Sequence, residues 1–156
     1  MYVRTQDKNH PVFAYQGIGG SGDSEANQGM FFVPPLSDEA NDDVNNIPAI
    51  DKIGLVDYSE SSGVSIVTNS DATITINDNN GDYDIASLAA VTVTGKAEYE
   101  AYSIDDLLGN VKITSTGELY LAYFNTSGAA TSGGFYAGFS TPPSAEIDLG
   151  LSLIHI

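Results

Sequence analysis

The sequence predicts an all-β, antiparallel fold of the β-sandwich type. Three observations carry that expectation. Short runs rich in β-branched and aromatic residues follow one another along the chain; Gly, Asn, Asp and Pro separate them; and no segment keeps a helical period beyond a single turn. Within the run 72–76, Ile74 and Ile76 fall on one side and Thr73 and Thr75 on the other, so one sheet face is buried and one is wet. A β-propeller, with about a hundred residues making two blades, is the alternative architecture.

Taken in order, strands are expected at 12–16, 29–33, 63–68, 72–76, 90–94, 99–104, 110–114 and 119–124. The only helical candidate is 104–108, capped by Ser103 and stopped by Gly109. The expected core comprises Ile66, Ile74, Ile76, Val91, Val93, Ile104, Val111, Ile113, Leu119 and Leu121. At 156 residues the chain can bury such a core without staples.

Residues 3–36 align without a gap on 111–144. Identities fall at Val3/Val111, Ala14/Ala122, Tyr15/Tyr123, Gly20/Gly128, Ser24/Ser132, Phe31/Phe139, Pro34/Pro142 and Pro35/Pro143. This echo reads as a tandem array of β units. Residues 1–36 would be the C-terminal strands of a preceding unit and 37–150 a second unit. Both ends read as cut, with 151–156 expected to be a non-native read end.

Lys and Arg number 5 against 21 Asp and Glu, a formal charge of −16. Such a chain lacks the cationic surface that nucleic acid or anionic lipid requires. It contains no cysteine, which excludes disulfides, thiolate metal sites and thiol nucleophiles. No apolar run reaches the roughly 18 residues of a membrane span.

Two acidic segments could bind Ca²⁺, the one candidate cofactor. Asp38, Asp42 and Asp43 lie in the loop 37–46, and Asp78, Asn80 and Asp82 stand at alternate positions in 78–84. Each has a plainer reading. The first suits a solvated loop. In the second, Asn80-Gly81 is a hairpin signal, and no bidentate Glu follows at the twelfth place. Asn125-Thr126-Ser127 is a glycosylation sequon. The Gly-rich stretch 17–22 lacks the Lys-Ser/Thr and the following helix of a phosphate loop, and reads as a loop between strands. No nucleophile elbow appears, and His10 and His155 are the only histidines. Tyr99, Tyr102, Tyr120, Tyr123 and Tyr136 would serve either as sandwich core or as exposed rings for a sugar or a protein partner.

Gly63-Val-Ser-Ile-Val-Thr68, Ala72-Thr-Ile-Thr-Ile76, Tyr99-Glu-Ala-Tyr-Ser-Ile104, Leu108-Gly-Asn-Val-Lys-Ile-Thr-Ser115 and Glu118-Leu-Tyr-Leu-Ala-Tyr-Phe124 together resemble the IgGFc-binding protein N-terminal domain family. Ser24-Glu-Ala-Asn-Gln-Gly-Met-Phe-Phe-Val-Pro-Pro35 resembles its bacterial branch, secreted surface proteins of Bacteroidota with gliding-motility-associated C-terminal domains. The resemblance covers most of 2–144 and implies a secreted or surface-exposed, non-enzymatic binding module. The cysteines usual in the animal members are missing, and antibody Fc binding is not carried over. The sequence is therefore expected to be an adhesion module at the cell surface or outside the cell, with an extracellular protein or glycan ligand and no catalytic residues. A carbohydrate-active module, sugar-binding or glycoside hydrolase-associated, is the alternative.

Overall fold

The computed structural model describes residues 4, 14–19, 28–33, 35–36, 40–53, 56–57, 61–85, 88–127 and 130–135. Among them are thirteen strands and no α-helix: β1 (Ala14–Gly19), β2 (Gln28–Val33), β3 (Asp43–Ile47), β4 (Lys52–Ile53), β5 (Val56–Asp57), β6 (Ser61–Asn69), β7 (Ile74–Asp78), β8 (Gly81–Tyr83), β9 (Val91–Thr92), β10 (Tyr99–Ile104), β11 (Val111–Ser115), β12 (Leu119–Ser127) and β13 (Ala130–Phe135). A five-stranded sheet has the order β13-β12-β6-β10-β9, and a four-stranded sheet has the order β3-β11-β7-β8. β1–β2 and β4–β5 are separate two-stranded ribbons. Every pairing is antiparallel. The chain crosses repeatedly between the two larger sheets, which face each other across one core as a β-sandwich.

Alternation decides which side chains enter that core. β7 buries Ile74, Ile76 and Asp78 and exposes Thr75 and Asn77. β11 buries Val111, Ile113 and Ser115. Opposite them, Val64, Ile66 and Thr68 of β6 sit level with Leu121 and Leu119 of β12 and Ile104 of β10. Each fully buried aliphatic side chain contributes roughly 1.5–3 kcal/mol relative to exposure. Eight of the ten residues expected in the core are buried. The other two belong to the 90–94 run: Val91 is 65% exposed and Val93 is half-buried. That run shrinks to the two-residue edge strand β9, which pairs on one side only and leaves Val91 in solvent.

Three further expectations are corrected. The helical turn at 104–108 does not form, because Ser103 and Ile104 are claimed by β6, opposite Ser65 and Val64. Asp106 then takes a left-handed conformation (φ 62°), which a helix excludes. The acidic segment 37–46 is not simply a solvated loop, since from Asp43 it becomes β3. Val44 lies opposite Ile113 and Ile47 opposite Val111, so β3 carries an extra residue across a bulge. The bulge spaces its two core residues three apart and hides the period-two signal. The Gly-rich stretch supplies Gly17–Gly19 to β1 and is not all loop.

The echo is only half kept. β1 and β12 end at the aligned positions Gly19 and Ser127. Their return strands differ: β1 pairs Ala14 with Val33 around 20–27, while β12 pairs Ala122 with Phe135 around 128–129. The tight second hairpin brings β13 back before the position aligned with β2. Residues 1–3, 5–13 and 136–156, with His10, Tyr136, His155 and the segment 151–156, lie outside the described residues.

Gly63 is required by close approach. A Cβ there would collide with the Ile104 carbonyl oxygen and reach within 2.9 Å of the Phe124 ring. We therefore expect Gly63→Ala to destabilise the fold, since backbone must move. Ile74→Ala should cost about 2–5 kcal/mol through a core cavity, and Val91→Ala no more than about 0.5 kcal/mol. Urea unfolding of the three variants measures the ranking, and equal losses for Ile74 and Val91 would contradict the burial pattern.

Candidate functional site

The sequence offered two main candidates, the acidic segments and the tyrosines. In the first acidic segment, Asp38 lies outside the described residues, Asp42 is exposed and Asp43 begins β3, half-buried. The main chain here is stitched to the two ends of the β11–β12 connection, which crosses between the sheets: Ser115 N donates to Asp42 O (2.7 Å) and Leu119 N to Asn41 O (2.9 Å).

The second segment is the β7–β8 hairpin. Asp78 pairs with Gly81 around Asn79-Asn80, and Gly81 takes φ 110°. Asp78 is buried, and its two oxygens accept backbone N–H groups from Asn80 (2.7 Å) and Leu108 (3.1 Å). These bonds offset the cost of burying the carboxylate and tie the hairpin to the 105–110 loop. Asp82 is exposed and accepts from Asn77 Nδ2 (3.0 Å); Asn80 is exposed. Among the described residues, no three His, Cys, Asp or Glu gather as a metal-binding group.

The tyrosines are mainly structural. Tyr99 of β10 and Tyr120 of β12 are buried on the two strands that flank β6, with ring centroids 6.4 Å apart. Both hydroxyls donate to Glu118 Oε2, Tyr99 at 2.6 Å and Tyr120 at 3.0 Å. Asn69 Oδ1 accepts from Glu118 N (2.9 Å) and so holds the carboxylate's backbone in place. Burial first, and then the Glu118 carboxylate, push the Tyr99 phenol up to about 12. Lys96 Nζ lies 5.6 Å from the Tyr99 ring centroid and 3.3 Å from Glu98 Oε1. Tyr102 and Tyr123 are half-buried against the core. Tyr102 donates to Glu100 (3.1 Å), and burial together with that carboxylate raises its phenol. Sequence reading singled out the rings but not Glu118, which immediately precedes β12 and stands two residues before Tyr120.

The exposed aromatic surface lies elsewhere, on the β1–β2 hairpin. Tyr15 is directly opposite Phe32, and Gly17 is opposite Met30. Residues two apart share a face, so Tyr15, Met30 and Phe32 project together. They are 62%, 77% and 42% exposed, and Leu36 just beyond β2 is also exposed. The Tyr15 and Phe32 rings meet edge to face, centroids 5.9 Å apart at 69°. Among the described residues, nothing comes within 4 Å of a Cβ built at Gly17, the position opposite Met30. Ala14 and Val33, opposite one another, are half-buried, and the hairpin lies alongside β13. The sequence showed these aromatic strands but not the register that gathers the three side chains, because the connection 20–27 sets it.

Comparison with protein-family models, curated proteins and solved structures finds no match. The resemblance to the IgGFc-binding N-terminal domains therefore rests on strand patterns alone and assigns no residue a role.

Two outcomes follow. Tyr99 ionises near 10 when unfolded and near 12 when folded. A raised pKa favours the neutral folded form, so its contribution to stability is complete below pH 10 and is lost as pH rises from 10 to 12. Phenolate absorbance should show a tyrosine titrating late, and Glu118→Gln should bring that midpoint down. Melting in excess EDTA and in about millimolar Ca²⁺, at fixed ionic strength, should differ by about a degree or less. A saturable rise of many degrees, lost in Asp42→Ala or Asp78→Ala, would instead establish a calcium site.

Proposed function

We propose that this chain is a non-enzymatic binding module of a secreted or cell-surface protein, with residues 1–36 finishing one β unit and 37–150 forming the next. The observation that carries the reading is the exposed Tyr15–Met30–Phe32 face. Large apolar side chains left together in solvent mark an interaction surface. Tyr, Phe and Met are the residue types enriched where protein interfaces bury their centre. The two rings are tilted by 69° and do not form the flat platform on which a sugar ring stacks. This geometry favours a protein ligand, whose side chain can enter beside the flexible Met30 and over Gly17. The net charge of −16 favours a partner with Lys or Arg around its apolar centre and adds a salt-dependent association rate.

The double variant Tyr15→Ala/Phe32→Ala is the test. Both residues are exposed, so melting should shift little, while retention on immobilised extracellular-matrix proteins should fall at least tenfold. Retention by collagen or fibronectin that weakens with salt and is lost in the variant supports the reading. Retention instead by soluble polysaccharides in affinity gels, unaffected by the double variant, would move the chain to the carbohydrate-active alternative.

A further inference from the structure

Asn125, Thr126 and Ser127 form the sequence's single N-glycosylation acceptor pattern, and they close β12 just before the 128–129 connection. An acceptor asparagine that carries a glycan in a folded protein must present its side-chain nitrogen to solvent. Asn125 does the opposite: it is 2% exposed. Its Nδ2 donates to Ile50 O (2.9 Å) and to Lys52 O (3.4 Å), and its Oδ1 accepts from Ser132 Oγ (2.5 Å). The first two bonds reach back to the turn 48–51 and to β4, and the third reaches across to β13. Ile50 is itself fully buried in the core. Asn125 is thus a clasp joining β12 to the segment 50–52 and to β13, and its two bonds to 50–52 are made by the same nitrogen that glycosylation would consume.

We infer that glycosylation of Asn125 and folding of this domain are mutually exclusive. In the transfer, the amide nitrogen bonds to the anomeric carbon of a lipid-linked oligosaccharide, one amide proton is lost, and the lipid pyrophosphate leaves. The nitrogen keeps one hydrogen where the fold uses two, and it gains a hydrated sugar where the fold has closed side-chain packing. A donor lost at a buried site leaves a carbonyl unsatisfied, and the sugar displaces the turn that carries Ile50.

The test is secretion of the full chain, with a secretory leader, from a eukaryotic cell. A second chain, Ser127→Ala/Asp82→Thr, moves the acceptor pattern to Asn80, which is exposed on the β7–β8 turn. Glycosidase-sensitive mass shifts and melting curves are read for both. The second chain should be secreted with its glycan and melt cooperatively. No molecule of the first chain should both carry a glycan and melt cooperatively; any glycosylated fraction should stay in the cell or unfold without a transition. Secreted, glycosylated first chain that melts like the unglycosylated protein would overturn the inference.

Discussion

β6 and β12 run antiparallel from Leu119 opposite Thr68 to Thr126 opposite Ser61, and the other elements take their places from that ladder. It occupies the middle of the five-stranded sheet, with β10 on one flank and β13 on the other. Its inner face presents Val64, Ile66, Leu119 and Leu121 to the four-stranded sheet, which answers with Ile74, Ile76, Val111 and Ile113. Dry contact between these two faces is the main source of stability, and it needs both registers at once. A one-residue slip of β12 would turn Leu119 and Leu121 outward and Tyr120 inward.

Polar side chains buried at the margins of the core then fix the connections. Ser62 Oγ donates to Leu107 O (2.5 Å) while Leu107 N donates to Ser62 O (3.0 Å), so the 105–110 loop is held to β6 and Leu107 reaches the core. Thr68 Oγ1 donates to Glu118 O (2.6 Å) at the turn before β12. Asp51 Oδ1 accepts from Gly109 N (2.8 Å), and Ile50 N donates to Gly109 O (2.8 Å). With Asp78 and Asn125, these bonds join loops far apart in sequence. Among the described residues, no buried side-chain nitrogen or oxygen lacks a partner. Each bond adds only a modest net stability, but leaving any of these groups without a partner would cost about 1–3 kcal/mol.

Much of this was legible in the sequence wherever local pattern and tertiary role agree. The run Tyr99–Ile104 is a strand to the residue, and the alternation around Ile74 and Ile76 placed the core face correctly. What escaped the reading was set by partners. β3 was hidden because its bulge breaks the alternation that announces a strand, and its flanking Asp and Asn residues imitate a loop. Val91 looks like core in sequence but falls on a two-residue edge. Glu118 carries no motif and acquires its role only because β12 lies two strands from β10, which lets it meet Tyr99. The Tyr15–Met30–Phe32 face depended on a hairpin register that the aromatic strands alone do not encode.

The sandwich and the hairpin divide the labour in the proposed module: a frame whose two sheets share one core, and a ribbon at its flank that exposes Tyr15, Met30 and Phe32 on one face. The frame can hold the ribbon steady only if its sheets open together. Native-state hydrogen exchange measures this directly. The amides of Ile66 and Leu121 in one sheet, and of Ile76 and Ile113 in the other, should exchange with a single free energy equal to that of global unfolding by urea. Exchange of the four-stranded sheet at a distinctly lower free energy than the five-stranded sheet would contradict a shared core.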